Sequence, residues 1–371
     1  MSLRKEKHYS LDAIEKIDSQ YKVIIGEKSN GKSYAVKLKL MTEAWHTAVP
    51  FVMVRRYVED VKLDKIERYF ADMVENDDGK SEIKELTNGK CDTVQAYRGA
   101  LYFAKKEEDK IRRVGIMCYF MAIPQYEHFT SQAFVKINRI LFEEFIAPLG
   151  KPFLPKEYNT FMLIISTVFR RRAGCIVYMI ANTNKLVCPY FDEWGIQVSM
   201  LEQGKISVFH FDSGEKDEET GNKLVIDIAV EYCSNSAGQD KMILGKKRGV
   251  FTKGEWDTDS YPHLNAPYKT FKKWYTMYYR KSGFTFVIRL LSDSNRMPFL
   301  YVYPYRYDEL PENARLVQDG FSWEVNVTPT FEDYRTKYDK LVHELLLAGR
   351  VCFSTNIVGT TFNELVSMTG Q

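Results

Sequence analysis

Two patterns alternate along the N-terminal half of the chain: short continuous apolar runs, and longer stretches with apolar residues at helical spacing. Leu11, Ile14 and Ile17 in the polar segment 1–20 predict a short opening helix. Tyr21 to Ile25 is an apolar run followed by a helix-like segment, Ser33 to Thr42. After Pro50, Phe51-Val52-Met53-Val54 is a second run ending in Arg55-Arg56-Tyr57, and Asp64 to Glu75 reads as a helix. Asn76 to Gly89 is polar and glycine-containing, a loop and turn. Val94 to Phe103 and Val114 to Ile123 read as strands joined by the charged Lys105 to Arg113. Ile137 to Glu144 is a strand ending in two carboxylates, followed by a helix over Asn159 to Arg172. A strand over Gly174 to Ala181 closes on Asn182, and Lys205 to Phe211 is one more. Continuous apolar runs mark strands buried on both faces, and their alternation with helices predicts an α/β fold with a parallel sheet.

Further on the pattern changes. Ser213 to Asn222 is an acidic, solvated loop, and Ala229 to Leu264 is irregular. Beyond Pro267, Gly283 to Leu291, Met297 to Tyr303 and Ser322 to Val327 predict aromatic-rich strands. An amphipathic helix (Phe331 to Ala348), a short strand (Arg350 to Phe353) and a last helix follow. The expected organisation is a parallel-sheet domain over 1–228, a connecting module over 229–265 and an α+β domain over 266–371. A chain of 371 residues, 45% hydrophobic and 14% aromatic, can bury two such cores. Its net charge of +3 argues against a basic coat over the whole surface, though not against local basic patches. The six cysteines show neither C-x-x-C nor zinc-like pairing with histidine, which points to reduced thiols rather than disulfides or a structural metal. Met1 to Ser10 lacks an apolar signal core and no run reaches membrane-spanning length, so a soluble intracellular protein is expected.

The candidate chemistry begins at Gly26-Glu27-Lys28-Ser29-Asn30-Gly31-Lys32-Ser33, which fits G-x-x-x-x-G-K-[ST] between a predicted strand and a predicted helix. That context aims successive backbone N–H groups and a helix N-terminus at one spot, where polyphosphate is stabilised. Gly26 and Gly31 permit the turn, Lys32 reaches the outer phosphates, and the Ser33 hydroxyl suits Mg2+; ATP is the expected ligand. Glu143 and Glu144 arrive at the end of an apolar strand. Glu143 would hold magnesium and Glu144 would polarise the attacking water. Asp is commoner at the first of these positions, and the longer arm of Glu143 should shift the metal or bring in a water. Arg170-Arg171-Arg172 is either a solvated helix end complementing the dipole or the source of a guanidinium for a neighbouring γ-phosphate. Asn182 can bond the γ-phosphate or water, or simply close its strand. Arg55 and Arg56 can bind phosphate or a partner.

Val-Ile-Ile-Gly-(x)4-Gly-Lys-Ser-Tyr-Ala, Val-Arg-Arg-Tyr at 54–57, Phe-Glu-Glu-Phe at 142–145, Thr-Val-Phe-Arg at 167–170 and Pro-Tyr-Phe at 189–191 occur in that order. Together they resemble the genome-packaging ATPase of small short-tailed bacteriophages with protein-primed DNA and a packaging RNA. The resemblance covers most of residues 20–192 and extends weakly to the C-terminus. It implies a P-loop NTPase sheet of the additional-strand, catalytic-glutamate type. Gly26, Gly31, Lys32 and Ser33 would form the phosphate loop, Glu144 would be the catalytic glutamate, Arg170 a trans-acting finger and Asn182 the polar residue after the next strand. It also implies a ring, a pentamer, on the portal of an empty prohead in the host cytoplasm, absent from the mature virion and pushing double-stranded DNA inward. The C-terminal domain would resemble a ribonuclease-H-like nuclease without its metal site, since Phe284 to Leu290, taken as its opening strand, has no carboxylate. Competing readings are a helicase or repair ATPase, and a nucleotide-gated binding protein with little turnover. Basic residues available to grip DNA are Lys105, Lys106, Arg112, Arg113, Lys136, Arg139, Lys246, Lys247 and Arg248, which spacing alone does not rank.

Overall fold

The computed structural model describes residues 9–367 apart from 109, 130–133, 149–150, 171, 217–222, 235–248, 250–251, 257, 260, 308, 319–321 and 323. The chain divides into two compact units: the chain up to Lys185 with Leu201–Glu255, and Leu186–Met200 with everything from Trp256 onward.

The first unit is built on a nine-stranded sheet. In chain order its strands are β1 (Tyr21–Gly26), β2 (Phe51–Arg55), β3 (Thr93–Tyr97), β4 (Ala100–Lys106), β5 (Ile111–Ala122), β6 (Arg139–Glu143), β7 (Ile176–Asn182), β8 (Lys205–Lys216) and β9 (Lys223–Tyr232). The spatial order is β3-β4-β5-β2-β6-β7-β1-β9-β8. From β5 to β9 every neighbouring pair is parallel, and antiparallel strands close both sides. The apolar runs Val23–Ile25, Phe51–Val54, Ile140–Phe142 and Val177–Ala181 are buried, as strands covered on both faces must be. One strand, β7, stands between the glycine-loop strand β1 and the carboxylate strand β6. Helices α1 (Asp12–Glu15) and α2 (Lys32–Thr47) flank β1 in sequence. The buried Lys22 donates to Glu15 Oε1 at 3.2 Å and Tyr178 donates to the same oxygen at 2.9 Å, anchoring α1 on the sheet.

Several expectations need correction. Val94 to Phe103 is not one strand. It folds back at Arg98-Gly99, where both residues have positive φ (46° and 78°), as the tight primed turn of a two-residue hairpin requires. Lys105 to Arg113 is not a plain connection either, because Lys105, Lys106 and Ile111 to Arg113 pair in β4 and β5. The helix expected over Asp64 to Glu75 breaks at Phe70 into α3 (Leu63–Tyr69) and α4 (Ala71–Val74), and the polar stretch after it contains α5 (Glu82–Leu86). Residues Ala229 to Tyr232 are regular: they finish β9, which lies beside β1, so the sheet domain runs past residue 228. Conversely, Val187 is buried in the core of the second unit, so residues 186–200 leave the first.

The second unit holds a six-stranded sheet of β10 (Lys272–Lys281), β11 (Phe284–Ser292), β12 (Pro298–Pro304), β13 (Leu316–Gln318), β14 (Val327–Thr328) and β15 (Val351–Phe353), in the order β14-β13-β10-β11-β12-β15. Strand β10 was not expected: basic residues at both ends (Lys272, Lys273, Arg280, Lys281) and the lack of a continuous aliphatic run hide it. The opening strand of this sheet is therefore β10, and it too carries no carboxylate. Helices over Lys337–Leu347 and Asn356–Ser367 bury Val342, Leu345, Phe362 and Leu365 on the sheet. Asp339 ties the layer together by accepting from Tyr275 (2.6 Å), from the buried Arg315 (3.1 Å) and from the backbone of Arg335 (2.7 Å). No helix among the described residues is long and apolar enough to cross a membrane.

One buried cation organises the functional edge of the first unit. Arg56, 2% exposed, follows β2 and donates to both Glu157 oxygens at 2.8 Å and to the carbonyls of Glu144 (2.7 Å) and Phe145 (2.6 Å). It thereby joins the end of β2, the bend after β6 and the first turn of α6 (Glu157–Phe169). Removing one partner of a buried pair strands the other charge in a low dielectric. Arg56→Ala should therefore lose about 3–5 kcal/mol of stability in urea unfolding. A loss below about 1 kcal/mol, the value of an exposed pair, would show that Arg56 is not the brace described.

Candidate functional site: a nucleotide cleft at the carboxyl edge of the sheet

Parallel strands deliver their C-terminal ends to one edge, and here β1, β6 and β7 deliver Gly26, Glu143 and Asn182. In the β1–β7 ladder Gly26 stands opposite Asn182. A Cβ on Gly26 would lie 2.9 Å from the Cβ of Cys233, so glycine is needed for strand packing as well as for the turn. Ser29 (φ 63°) and Gly31 (φ 95°) then take left-handed backbone, and α2 starts at Lys32. Asn30 Oδ1 accepts from the Lys32 amide (3.1 Å) and from Lys32 Nζ (3.2 Å). Lys32 Nζ also donates to the Glu27 carbonyl and to Asn182 Oδ1 (3.4 Å). The ammonium thus sits at the centre of the loop. Burial pushes its pKa below the ordinary value, while Cys233, Glu143 and Glu27 pull the other way. Lys28 and Ser29 line the mouth of the cleft.

Ser33 and Glu143 meet directly. Ser33 Oγ donates to Glu143 Oε1 at 2.6 Å, so the longer arm of Glu143 reaches the serine without an intermediary. The other oxygen, Oε2, is buried and has no hydrogen-bond partner among the described residues. An unpaired buried carboxylate oxygen is costly, and a hard cation with oxygen ligands removes that cost. A hydroxyl and an underbonded carboxylate at a glycine-loop helix N-terminus therefore fit Mg2+.

Glu144 bends away. It has φ 59°, unusual for a non-glycine residue, so two consecutive carboxylates part instead of alternating across the strand. Its Oε2 accepts from Arg55 at 2.9 Å, and its side chain is 45% exposed and lines the cleft. Burial works against the charge of Arg55, but Glu144 and then Glu143 outweigh it and hold the guanidinium's pKa above its ordinary value. Of the two arginines after β2, Arg55 thus holds a carboxylate at the cleft and Arg56 is scaffold.

Arg170 lies elsewhere. It ends α6 with φ 45°, is exposed, and its Nε donates to Thr167 O at 3.3 Å. Helix α6 returns the chain from the end of β6 to the start of β7, so Arg170 stands at the opposite edge of the sheet from Lys32. Arg172 marks that edge by donating to Ile137 O at 2.7 Å, and Arg171 lies outside the described residues.

Three residues of the site were missed from sequence. Lys37, one turn after Ser33 on α2, donates to Asp72 (2.6 Å) and to Tyr69 O (2.7 Å). Tyr69 lies beneath Lys37 (4.5 Å) and Arg55 (5.8 Å), and its hydroxyl is buried on the Glu143 side, where burial and then that carboxylate raise its pKa well above the usual range. The helical spacing from Ser33 to Lys37 was the available signal. A further contact closes the loop from behind. Gly254 (φ 65°) packs so tightly that a Cβ would lie 2.6 Å from the Glu27 amide nitrogen. Its carbonyl accepts from Thr183 (2.8 Å) and Tyr232 (2.6 Å). The cleft in front, of about 1380 Å³, gathers Lys32, Ser33, Glu143, Glu144 and Asn182.

Known proteins resemble this chain in sequence and in fold. The chain is 25% identical over 174 residues to the DNA packaging protein of Bacillus phage B103, an alignment spanning 47% of either chain, so it covers about half the length of that curated relative. Among solved structures, the bacteriophage Phi-29 viral genome packaging motor assembly superposes with a TM-score of 0.56 at 17% identity, covering 98% of this chain and 99% of that one. The Phi-28 gp11 DNA packaging motor superposes with a TM-score of 0.53 at 14% identity, covering 98% of each chain. At these identities the structures establish a shared fold. The sequence family is established separately by its own model, which matches residues 3–199, more than half of the chain, and includes the glycine loop, both glutamates and Arg170. By that match, the chain belongs to the Podovirus DNA encapsidation protein (Gp16) family.

Proposed function

We propose that the chain is an ATP-driven motor that moves double-stranded DNA into an empty prohead, acting as a homomeric ring, a pentamer, at the portal together with a packaging RNA. The observation that carries this reading is the convergence of Lys32, Ser33, Glu143, Glu144 and Asn182 on one cleft in a chain of the encapsidation family. The loop amides and the N-terminus of α2 receive the polyphosphate of ATP, and Lys32 exchanges the Glu27 carbonyl for phosphate oxygens. Ser33 and Glu143 would hold Mg2+, which neutralises charge on the phosphates when bound. Asn182, already within reach of Lys32 Nζ, orients the terminal phosphate. Glu144 takes the proton of the attacking water on its carboxylate, and Arg55 keeps that carboxylate aimed. Arg170, at the far edge of its own sheet, would act as a finger on the site of a neighbouring subunit in such a ring. The second unit is read as a ribonuclease-H-like domain without nuclease activity. Strands β10 and β11 bear no carboxylate.

Proheads, genomic DNA, ATP and this protein should yield nuclease-protected DNA. Glu144→Gln should still bind ATP, while hydrolysis and protection fall by roughly a hundred- to ten-thousand-fold. Glu143→Ala should instead raise the magnesium concentration needed for half-maximal turnover. If the two variants exchange these behaviours, the roles assigned to the carboxylates are wrong.

Mixed rings test the finger. Glu144→Gln subunits keep Arg170, and Arg170→Ala subunits keep Glu144, so some interfaces in a mixture pair a sound site with a sound arginine. Hydrolysis should rise above that of either variant and peak at intermediate ratios. Arg170→Ala alone should lose about a thousand-fold or more. No recovery in rings shown to be mixed would rule out action between subunits.

The second unit should leave supercoiled DNA intact in manganese. Metal-dependent nicking that persists in Lys32→Ala would overturn the reading of that domain as inactive.

A further inference from the structure

The hairpin pair β3–β4–β5 presents an unusual outer face. Val94, Ala96, Leu101 and Phe103 turn inward to the core, leaving Tyr97 and Tyr102 toward solvent. Arg113 lies over Tyr97 with its guanidinium 4.1 Å from the ring centre, and 5.5 Å from that of Tyr102. Arg98, at the tip of the tight turn, covers Tyr97 at 5.1 Å. Both arginines and Lys106 are exposed. Among the described residues none of the three lies within ion-pairing distance of a carboxylate. Their neighbours differ: Lys105 is paired to Asp92 at 2.8 Å and Arg112 to Glu107 at 2.7 Å. Of the other basic residues considered for gripping DNA, Arg139 is tied to Glu43 (3.2 Å) and to the carbonyls of Asn138 and Gly174. Lys246, Lys247 and Arg248 lie outside the described residues.

We propose that this outer face, centred on Arg98, Lys106 and Arg113, docks the phosphate backbone of double-stranded DNA. The proposal rests on the reading of the chain as a DNA motor and adds the surface that touches the duplex. Stacking fixes a guanidinium plane while leaving its N–H edge free, and that edge matches two phosphate oxygens at once. The tyrosine rings are covered by guanidinium groups, so they do not offer bare platforms for unstacked bases; this favours a duplex backbone over a single strand. An exposed cation without a carboxylate gives up only counterions and water when phosphate arrives, whereas Lys105 and Arg112 must first break an ion pair. Backbone contacts carry no sequence information, as suits a protein that must pass every sequence of a genome.

The test is fluorescence anisotropy of a labelled random-sequence DNA duplex across a salt series, using the whole protein. Each lost phosphate contact lowers the slope of log K against log salt by about 0.9. Arg98→Gln/Arg113→Gln should therefore lose about 1.8 and Lys106→Gln about 0.9, with affinity falling roughly tenfold in the double variant. Lys106 is exposed and stacks on no ring among the described residues, so its variant keeps the proposal testable if the double variant unfolds. Basal ATP hydrolysis should be unchanged in both, since neither touches the cleft. Folded variants with wild-type slope and affinity would overturn the proposal, as would a loss confined to an RNA duplex or to an acidic protein competitor. Wild-type protein that binds no DNA would remove the motor reading as well, which separates the two failures.

Discussion

The register of β1 between β7 and β9 is the constraint on which the rest depends. Gly26 stands opposite Asn182, Ile24 opposite Ile180, and Ile180 in turn opposite Glu143. These strands are covered on both faces, so a slip by one residue in any ladder would not expose the run but would exchange the side chains packed on each face, and the close fit of the core opposes it. Fixing the register fixes the chemistry, because the ends of three parallel strands then lie level at one edge. The glycine loop needs no loop-to-loop contact to find its carboxylate partners. The core places them.

Charge is buried around this edge in an ordered way. Arg56 is enclosed with Glu157 and two carbonyls, so its donors are satisfied and its role is mechanical. Lys37 is satisfied by Asp72 and a carbonyl. Glu143, by contrast, has one oxygen bonded and one bare. Buried polar groups in folded proteins are nearly always paired, and an exception marks a place where something else completes the bonding. Two such atoms among the described residues, Glu143 Oε2 and the Tyr69 hydroxyl, fall beside the phosphate loop.

Much of this was legible in the sequence, and the omissions have physical reasons. Buried parallel strands advertise themselves as unbroken apolar runs, so β1, β2, β6 and β7 were readable along with the residues at their ends. The Arg98-Gly99 turn lacks the Asn-Gly signature that usually announces a hairpin, so two strands looked like one. Strand β10 opens and closes on basic residues around a polar-aromatic middle and resembles a solvated segment until its partner β11 is known. Strand β9 was not expected, because Asp227 and Glu231 interrupt its apolar residues and leave no continuous run. The pairing of Arg55 with Glu144 depends on β2 and β6 being neighbours, which no local pattern reveals. Arg55 and Arg56 are adjacent and chemically alike, yet one holds the Glu144 carboxylate at the cleft and the other is sealed in the core. Only the sheet order separates them.

Gly254 gives the molecule a reciprocal property. The backbone at this residue rests on the Glu27 amide, its carbonyl is held by Thr183 and Tyr232, and the chain passes into the second unit one residue after Glu255. Thr183 directly follows Asn182, so the segment around Gly254, a strap against the loop, shares its support with the residue that touches Lys32. A change in the loop on one side of this contact alters the free energy of the strap on the other. Linkage then works in both directions: a factor by which nucleotide favours one position of the strap is the same factor by which that position favours nucleotide.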